Sequence, residues 1–433
     1  MPRTDTIRGS TLCDSSRLAA APEQSRLVFV GSPEDGFAHA GQSFPLAGLR
    51  RVEFRRAERG PLTSSIEGGV LRIGMPHPWV SSHHADLELD GNAELVDLES
   101  RNGTLLEGDM IERAVLHSGD IFEVGRCFFA LRQTKAPAHE PTTELHPVAH
   151  PDYAASMHAL ERLAPTRVPL LLIGDTGTGK SALARALHRA TGRGGPFVAL
   201  NMMARSVEPS LLGEGNALLA QARGGTLFLD DVGALSTEEQ GRLLSALLGF
   251  MLPDSDALNL PEDGVRVIAA ASSNLHRRAA EATFRPDLYA RLAGYECRIP
   301  PLRERPEDLG LLVRGIFEAA GVPGQRVKVD VFRTMLAQEW PFNVRELNNC
   351  VSAALALCEE SAPITAAIWR EVQWPNAGVP AAPRLASVRE TIIRELAAHR
   401  GDKAAAAKSL GCAMVDIDRW LSRFDLVPEQ FAS

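Results

Sequence analysis

The sequence predicts a multidomain protein with three folded units: an all-β sandwich, an α/β domain built on a phosphate loop and carrying a helical lid, and a small all-α unit. Three observations lead there. The chain has 433 residues, more than one hydrophobic core serves. Residues 168–181 read VPLLLIGDTGTGKS, a buried strand running into a glycine-rich loop and a helix. The pattern changes on both sides of that segment, from short alternating apolar runs before it to helical periodicity at the end of the chain.

Bulk composition narrows the function classes. Hydrophobic residues make up 45% and charged residues 23%, as in soluble globular proteins. A formal net charge of -8 excludes a basic nucleic-acid coat, so any DNA contact is local to one segment. The cysteines at 13, 127, 297, 350, 358 and 412 show no metal-ligand spacing, which suggests reduced thiols and a cytoplasmic protein. No apolar run reaches the length of a membrane span. Residues 1–25 lack the apolar centre of a secretion signal and read as a flexible leader.

Residues 26–132 form the first unit. Its apolar runs RLVFVG, HADLELDG, AELVDLES, IFEVG and CFFALR are short and separated by turns. Ala85, Leu87 and Leu89 alternate as in a half-buried strand, and Asp90-Gly91-Asn92 is a hairpin-type turn. Many such strands predict a β-sandwich. Gly74, VSSHHA (residues 80–85), DLESRNGT (97–104) and LHSGDIFEVG (116–125) resemble a forkhead-associated (FHA) domain, whose loops bind phosphothreonine peptides. The resemblance implies that Ser81 bonds the phosphate, His84 braces its loop and Asn102 holds the peptide backbone. It also places Arg101 and Thr104 in the peptide-binding set. The family carries Arg after the glycine and commonly a second Arg further on, where this chain has Met75 and Ser82. The alternative is a sandwich kept for packing or protein docking. Residues 133–151, with several prolines, read as a linker.

Residues 152–373 alternate helical and strand-like segments, predicting a parallel sheet. Gly174, Asp175, Thr176, Gly177, Thr178, Gly179, Lys180 and Ser181 match G-x-x-x-x-G-K-[ST], a pattern that turns backbone N–H groups around phosphates. Lys180 is expected to reach the outer phosphates and Ser181 to hold Mg²⁺, with a helix N-terminus behind the anion. GGTLFLDDVG (residues 224–233) ends a buried strand in two carboxylates, Asp230 for the Mg²⁺ shell and Asp231 to orient and deprotonate water. The plainer reading of that pair is helix capping.

VRVIAAASSNL, FRPDLYARL, PPLRERPEDL and WPFNVREL follow in order (residues 265–347). Together with the loop they resemble the AAA+ domain of bacterial enhancer-binding proteins, the activators of sigma-54 RNA polymerase. The resemblance implies ATP as ligand and assembly into a ring of the hexamer type. Arg285 and Arg291 would act as fingers on the neighbouring subunit's nucleotide, and Arg345 would sense nucleotide in its own subunit. For any one of these arginines the plainer reading is a surface ion pair.

Four departures from the family pattern qualify the expectation. Between SLLG (residues 210–213) and GGT (224–226) the chain has EGNALLAQAR, with no GAFTGA string. That is the family's contact loop for sigma-54, so direct remodelling of the polymerase is not expected. Asp231 replaces the usual Glu, and a reach shortened by about an ångström can cost about a hundredfold in rate. Ala271-Ser272 replaces Thr-Asn, leaving Ser272 at the nucleotide-reporting position. Ser181 restores the ordinary Mg²⁺ ligand. These changes predict retained ATP binding with slow hydrolysis.

A second proline-rich linker (residues 374–384) leads to three helical segments (385–433). Val388, Ile392, Ile393 and Leu396 share one face of the first. KAAAAKSLG is an alanine-rich helix stopped at Gly411, and AMVDIDRWLSRF is the third. The pattern resembles the Fis-type helix-turn-helix, which implies a dimeric contact to DNA at upstream promoter elements. Met414, Asp416, Arg419 and Arg423 lie on the recognition helix, with the two arginines placed for phosphates and Asp416 for a cytosine amine. The alternative is a three-helix dimerisation unit. The composite reading is an ATP-binding transcriptional regulator. A phosphopeptide-linked scaffold or assembly switch, and a regulator that opposes true activators, are the competing readings.

Overall fold

The computed structural model describes residues 24–58, 60–134, 145, 147–203, 220–250, 264–359, 361–373, 385–410, 417, 421 and 428–431. The first unit is a sandwich of two six-stranded sheets. Its strands are β1 (Gln24–Gly31), β2 (Ser43–Pro45), β3 (Arg51–Arg56), β4 (Thr63–Glu67), β5 (Val70–Met75) and β6 (Ala85–Glu88). They continue as β7 (Ala93–Asp97), β8 (Thr104–Leu106), β9 (Asp109–Ile111), β10 (Arg113–Leu116), β11 (Ile121–Val124) and β12 (Cys127–Thr134). One sheet has the order β2-β1-β12-β11-β8-β9 and the other β10-β7-β6-β3-β5-β4. The alternation of Ala85 and Leu87 on β6 puts both side chains into the core between the sheets. That core also holds Phe29, Phe54, Phe122 and Phe129, with edge and tilted ring contacts that suit aromatic quadrupoles. Met75, at the end of β5, is fully buried in the same core.

The second unit is a parallel sheet of order β14-β15-β16-β13-β17, made by β13 (Leu170–Ile173), β14 (Phe197–Asn201), β15 (Thr226–Asp230), β16 (Arg266–Ala271) and β17 (Tyr295–Arg298). Every residue of β13 is buried, as expected where helices cover both faces. Apolar clusters lie on the two sides. Four helices, Leu309–Ala319, Val329–Leu336, Asn343–Leu357 and Ala366–Val372, form the lid.

The sandwich and the lid share one hydrophobic core. On β1 and β12, alternate residues point to opposite faces. Leu27, Phe29, Phe129 and Leu131 enter the sandwich. Val28, Val30, Phe128 and Ala130 instead pack with Leu309, Val313, Phe317 and Phe332 of the lid. Phe37, between β1 and β2, joins this seam, with its ring centroid 4.8 Å from that of Phe332. The helix Leu309–Ala319 lies directly on β1: a Cβ at Gly310 would stand 2.0 Å from the Val30 carbonyl oxygen. Polar contacts frame the seam. Arg333 donates to both carboxylate oxygens of Glu123, each at 2.8 Å, and the Val327 N–H donates to the Pro33 carbonyl at 2.9 Å.

Part of the segment read as a linker is packed. Gln133 and Thr134 extend β12, and Leu145, Val148 and Ala149 are buried before the helix Pro151–Leu163 begins. At the other end of the chain, Ile392, Leu396, Ala406, Ala407, Ile417 and Leu421 pack together, joining helices Leu385–Ala398 and Lys403–Leu410 to the third segment. Among the described residues no helix is long and apolar enough to cross a membrane.

Overpacking at Gly310 tests the shared seam. Gly310→Val should destabilise the chain by about 1–3 kcal/mol, read as a lower denaturant midpoint. A midpoint equal to the parent's would mean that helix and strand are not in close contact.

Candidate nucleotide and phosphopeptide sites

The nucleotide loop begins where β13 ends. The Gly174 N–H donates to the Ala271 carbonyl of neighbouring β16 at 3.2 Å, which fixes the loop's entry at the C-terminal edge of the sheet. Open parallel sheets place ligands at that edge. Gly177 has φ 80°, and a Cβ there would lie 2.0 Å from the Phe342 carbonyl oxygen. Glycine is therefore required both by backbone sign and by the approach of the lid. The Thr178 hydroxyl donates to the Asp175 carbonyl at 2.8 Å. The helix Lys180–Ala190 starts directly behind the loop, with its N-terminal dipole aimed at it.

Lys180 donates from Nζ to the Gly174 and Asp175 carbonyls at 2.8 and 3.1 Å. Burial lowers its pKa, while the carboxylates of Asp231, Asp230 and Asp175 oppose that shift. The Ser181 hydroxyl donates to Asp230 Oδ2 at 2.9 Å. Two hard oxygen donors from different elements thus meet beside the loop, a donor set that suits Mg²⁺. Asp231 occupies the left-handed region, φ 56° and ψ 47°, which Asp tolerates better than most residues.

The lid closes over the loop from the other side. Asn343, itself at φ 54°, donates from Nδ2 to the Thr176 carbonyl at 2.9 Å and accepts the Leu302 N–H on Oδ1 at 2.8 Å. The Arg345 N–H donates to the Gly177 carbonyl at 3.2 Å, and the charge of Arg345 adds to the lowering of the Lys180 pKa. Asp175 is held by Arg303 at 3.4 Å and by the Ser273 hydroxyl at 3.3 Å.

The sequence reading therefore missed Asn343, Arg303 and Ser273, although all three lie in segments it singled out. It selected Ser272, whose hydroxyl donates to Asn274 at 2.8 Å. Arg285 and Arg291 lie at the start and near the end of the helix Pro286–Leu292. Arg285 is half-exposed and donates from Nε and Nη2 to the two carboxylate oxygens of Asp287, at 3.1 and 2.7 Å.

In the sandwich, the β5–β6 and β7–β8 loops converge. His84 is fully buried. Its Nδ1 accepts the Ser81 N–H at 3.0 Å, and its Nε2 faces the Gly103 carbonyl at 3.2 Å. Those partners assign the proton to Nε2, and burial lowers the pKa of the ring. The Ser81 hydroxyl accepts the Arg101 N–H at 3.1 Å, leaving its own proton to donate. Asn102 Nδ2 donates to the Trp79 carbonyl at 2.7 Å.

Thr104 is buried and donates to Asp97 at 2.6 Å, so it braces the turn from inside. Burial raises the Asp97 pKa, but bonds from Thr104 and Ser100 outweigh it and hold the carboxyl below its ordinary value. Met414, Asp416, Arg419 and Arg423 lie outside the described residues.

Lys180→Ala should abolish binding of a fluorescent ATP analogue, because the loop then loses its cation. An affinity equal to the parent's in the same titration would refute the assignment.

Comparison with known proteins finds three domain matches along the chain. Residues 148–298 match the Sigma-54 interaction domain, residues 69–125 the FHA domain and residues 303–373 the AAA+ ATPase lid domain. The hydrogenase transcriptional regulatory protein HoxA of Cupriavidus necator is 32% identical over 404 residues, covering 83% of this chain and 80% of HoxA. The DNA-binding transcriptional regulator NtrC of Rhizobium meliloti is 38% identical over 216 residues, 46% of this chain and 45% of NtrC. Among solved structures, NtrX from Brucella abortus in complex with ATP is 26% identical, with a TM-score of 0.44 over 66% of this chain and 70% of that one. With HoxA matched over most of its length and the three domains in place, the chain belongs to the sigma-54 activator family of transcriptional regulators.

Proposed function

We propose that the protein is a cytoplasmic, ATP-binding transcriptional regulator that assembles through its AAA+ domain and contacts upstream promoter DNA through its C-terminal helices. The observation that carries this reading is the convergence of Lys180, Ser181 and Asp230 beneath a lid that supplies Asn343 and Arg345. In this reading Lys180 carries the charge of the outer phosphates, and backbone N–H groups of residues 177–181 enclose them. Ser181 and Asp230 hold Mg²⁺, which neutralises phosphate charge when bound.

Asp231 orients the attacking water and takes its proton. Its short side chain and left-handed backbone set the reach of that carboxylate, and hydrolysis is slow. Arg285 gives up its pairing with Asp287 on ring assembly and, with Arg291, turns to the neighbour's nucleotide. Because the chain lacks a GAFTGA string, nucleotide binding serves assembly and switching rather than direct work on sigma-54 polymerase. The sandwich reads a threonine phosphopeptide through Ser81, Arg101 and Asn102. With Met75 in the core there is no guanidinium at that position, so phosphate affinity is weaker than the family's usual.

Fingers acting in trans require ATP turnover per subunit to rise with protein concentration; a turnover independent of concentration would refute ring assembly as the active state. Asp231→Glu should raise turnover if reach limits the chemistry, and equal or lower turnover would show that it does not. Genomic DNA fragments mixed with the protein should be enriched over a control carrying Arg419→Ala and Arg423→Ala. No enrichment would remove the promoter reading and leave the assembly switch.

A further inference from the structure

Four charged side chains meet where the sandwich, the nucleotide domain and the lid join. Arg132 comes from β12, and Arg305, Glu307 and Asp308 come from the turns that lead into the lid helix Leu309–Ala319. Glu307 and Asp308 are fully buried and Arg305 nearly so. Arg132 donates to Glu307 at 2.7 Å and to the Glu304 carbonyl at 3.1 Å. Arg305 lies with its guanidinium 4.9 Å from the Tyr153 ring centroid and donates to the Thr178 carbonyl at 3.1 Å. Asp308 takes Arg305 at 3.4 Å and accepts the N–H groups of Ala149 and His150 at 2.6 and 2.9 Å. A single short segment is thus fastened to the sandwich at one end and to the nucleotide loop at the other.

Thr178 immediately precedes Gly179 and Lys180. For the following N–H groups to face a phosphate, the Thr178 carbonyl has to point away, and Arg305 holds it there. We propose that Arg132, a residue of the sandwich, is a positioning residue for the nucleotide loop, acting through Glu307 and Arg305. The inference rests on reading that loop as the nucleotide site.

The physical reason is charge burial. Glu307 places one carboxylate oxygen on Arg132, while the other has no hydrogen-bond partner. Without the cation, Glu307 becomes an uncompensated charge in a low-dielectric setting, a strongly unfavourable state. The turn relieves it by moving Glu307 toward water, and Arg305, two residues away, moves with it. Arg333 supplies an internal comparison. Its two-pronged bond to Glu123 spans the same seam, but it sits on the helix Val329–Leu336, outside the segment that grips Thr178.

The test uses the full chain carrying Arg132→Met, Arg333→Met, Arg132→Lys or the pair Arg132→Met with Glu307→Met. Two quantities are read: amide hydrogen exchange of residues 174–183 without nucleotide, and affinity for a fluorescent ATP analogue. Arg132→Met should speed exchange in the loop and weaken the analogue by roughly 3- to 30-fold. Arg333→Met should leave both near the parent even where it lowers the melting temperature as much.

Arg132→Lys, which keeps the charge and reaches one partner instead of two, should fall between and remains informative if Arg132→Met does not fold. The paired replacement should bring loop exchange back toward the parent. Unchanged loop exchange and affinity in both Arg132 variants would overturn the proposal, as would equal effects from Arg333→Met. A parent that fails to bind the analogue would refute the nucleotide reading, while loop exchange would still decide whether Arg132 positions the loop.

Discussion

The structure depends most on the apolar seam between the sandwich and the lid. An antiparallel sheet usually leaves one face to water. Here the outer face of β1 and β12 is covered by Leu309, Val313, Phe317 and Phe332. Burying each such side chain contributes about 1.5–3 kcal/mol, so a few of them weigh as much as the net stability of an ordinary domain. Gly310 allows the helix to approach the Val30 carbonyl without an intervening side chain. The ion pairs at the edge then fix orientation more than they add stability, since paired buried charges roughly offset their own desolvation.

The lid packed in that seam also reaches the nucleotide loop. The lid reaches that loop through Asn343 and the Arg345 backbone, and the turns before the lid reach it through Arg303 and Arg305. These contacts mostly take up carbonyls of the loop, at Thr176, Gly177 and Thr178. Carbonyls held outward leave N–H groups inward, which is the condition for an anion site.

Much of this was legible in residue order. The alternation of Ala85 and Leu87 gave β6 correctly, and the run of residues 170–173 gave a strand buried on both faces. The motif spacing brought Ser181 and Asp230 together in expectation, and they are bonded. The lid contacts were not legible, because Asn343 acts through a left-handed backbone and an amide aimed at a carbonyl 167 positions away. No local pattern encodes such a pairing.

The shared seam does leave a signal in the sequence. LVFV on β1 and CFFAL on β12 are continuous apolar runs, whereas a sheet with one wet face would alternate. Such runs require cover on both sides. Met75 shows the same limit from the other direction: in the sequence it reads as a missing cation, but its place in the sandwich core follows from β5 pairing with β3 and β4.

The continuous core changes what the units of this chain are. Domains are ordinarily parcels that can be cut and joined at linkers. A cut near residue 145 would strip the lid of its covering sheet and expose Phe317, Phe332 and their neighbours as one apolar patch, of the kind that drives association. The sandwich alone would carry the complementary patch. Because one cluster holds residues of both, sandwich and ATPase domain are best engineered as one piece. A receptor module swapped in from another regulator would need to bring its own matching face.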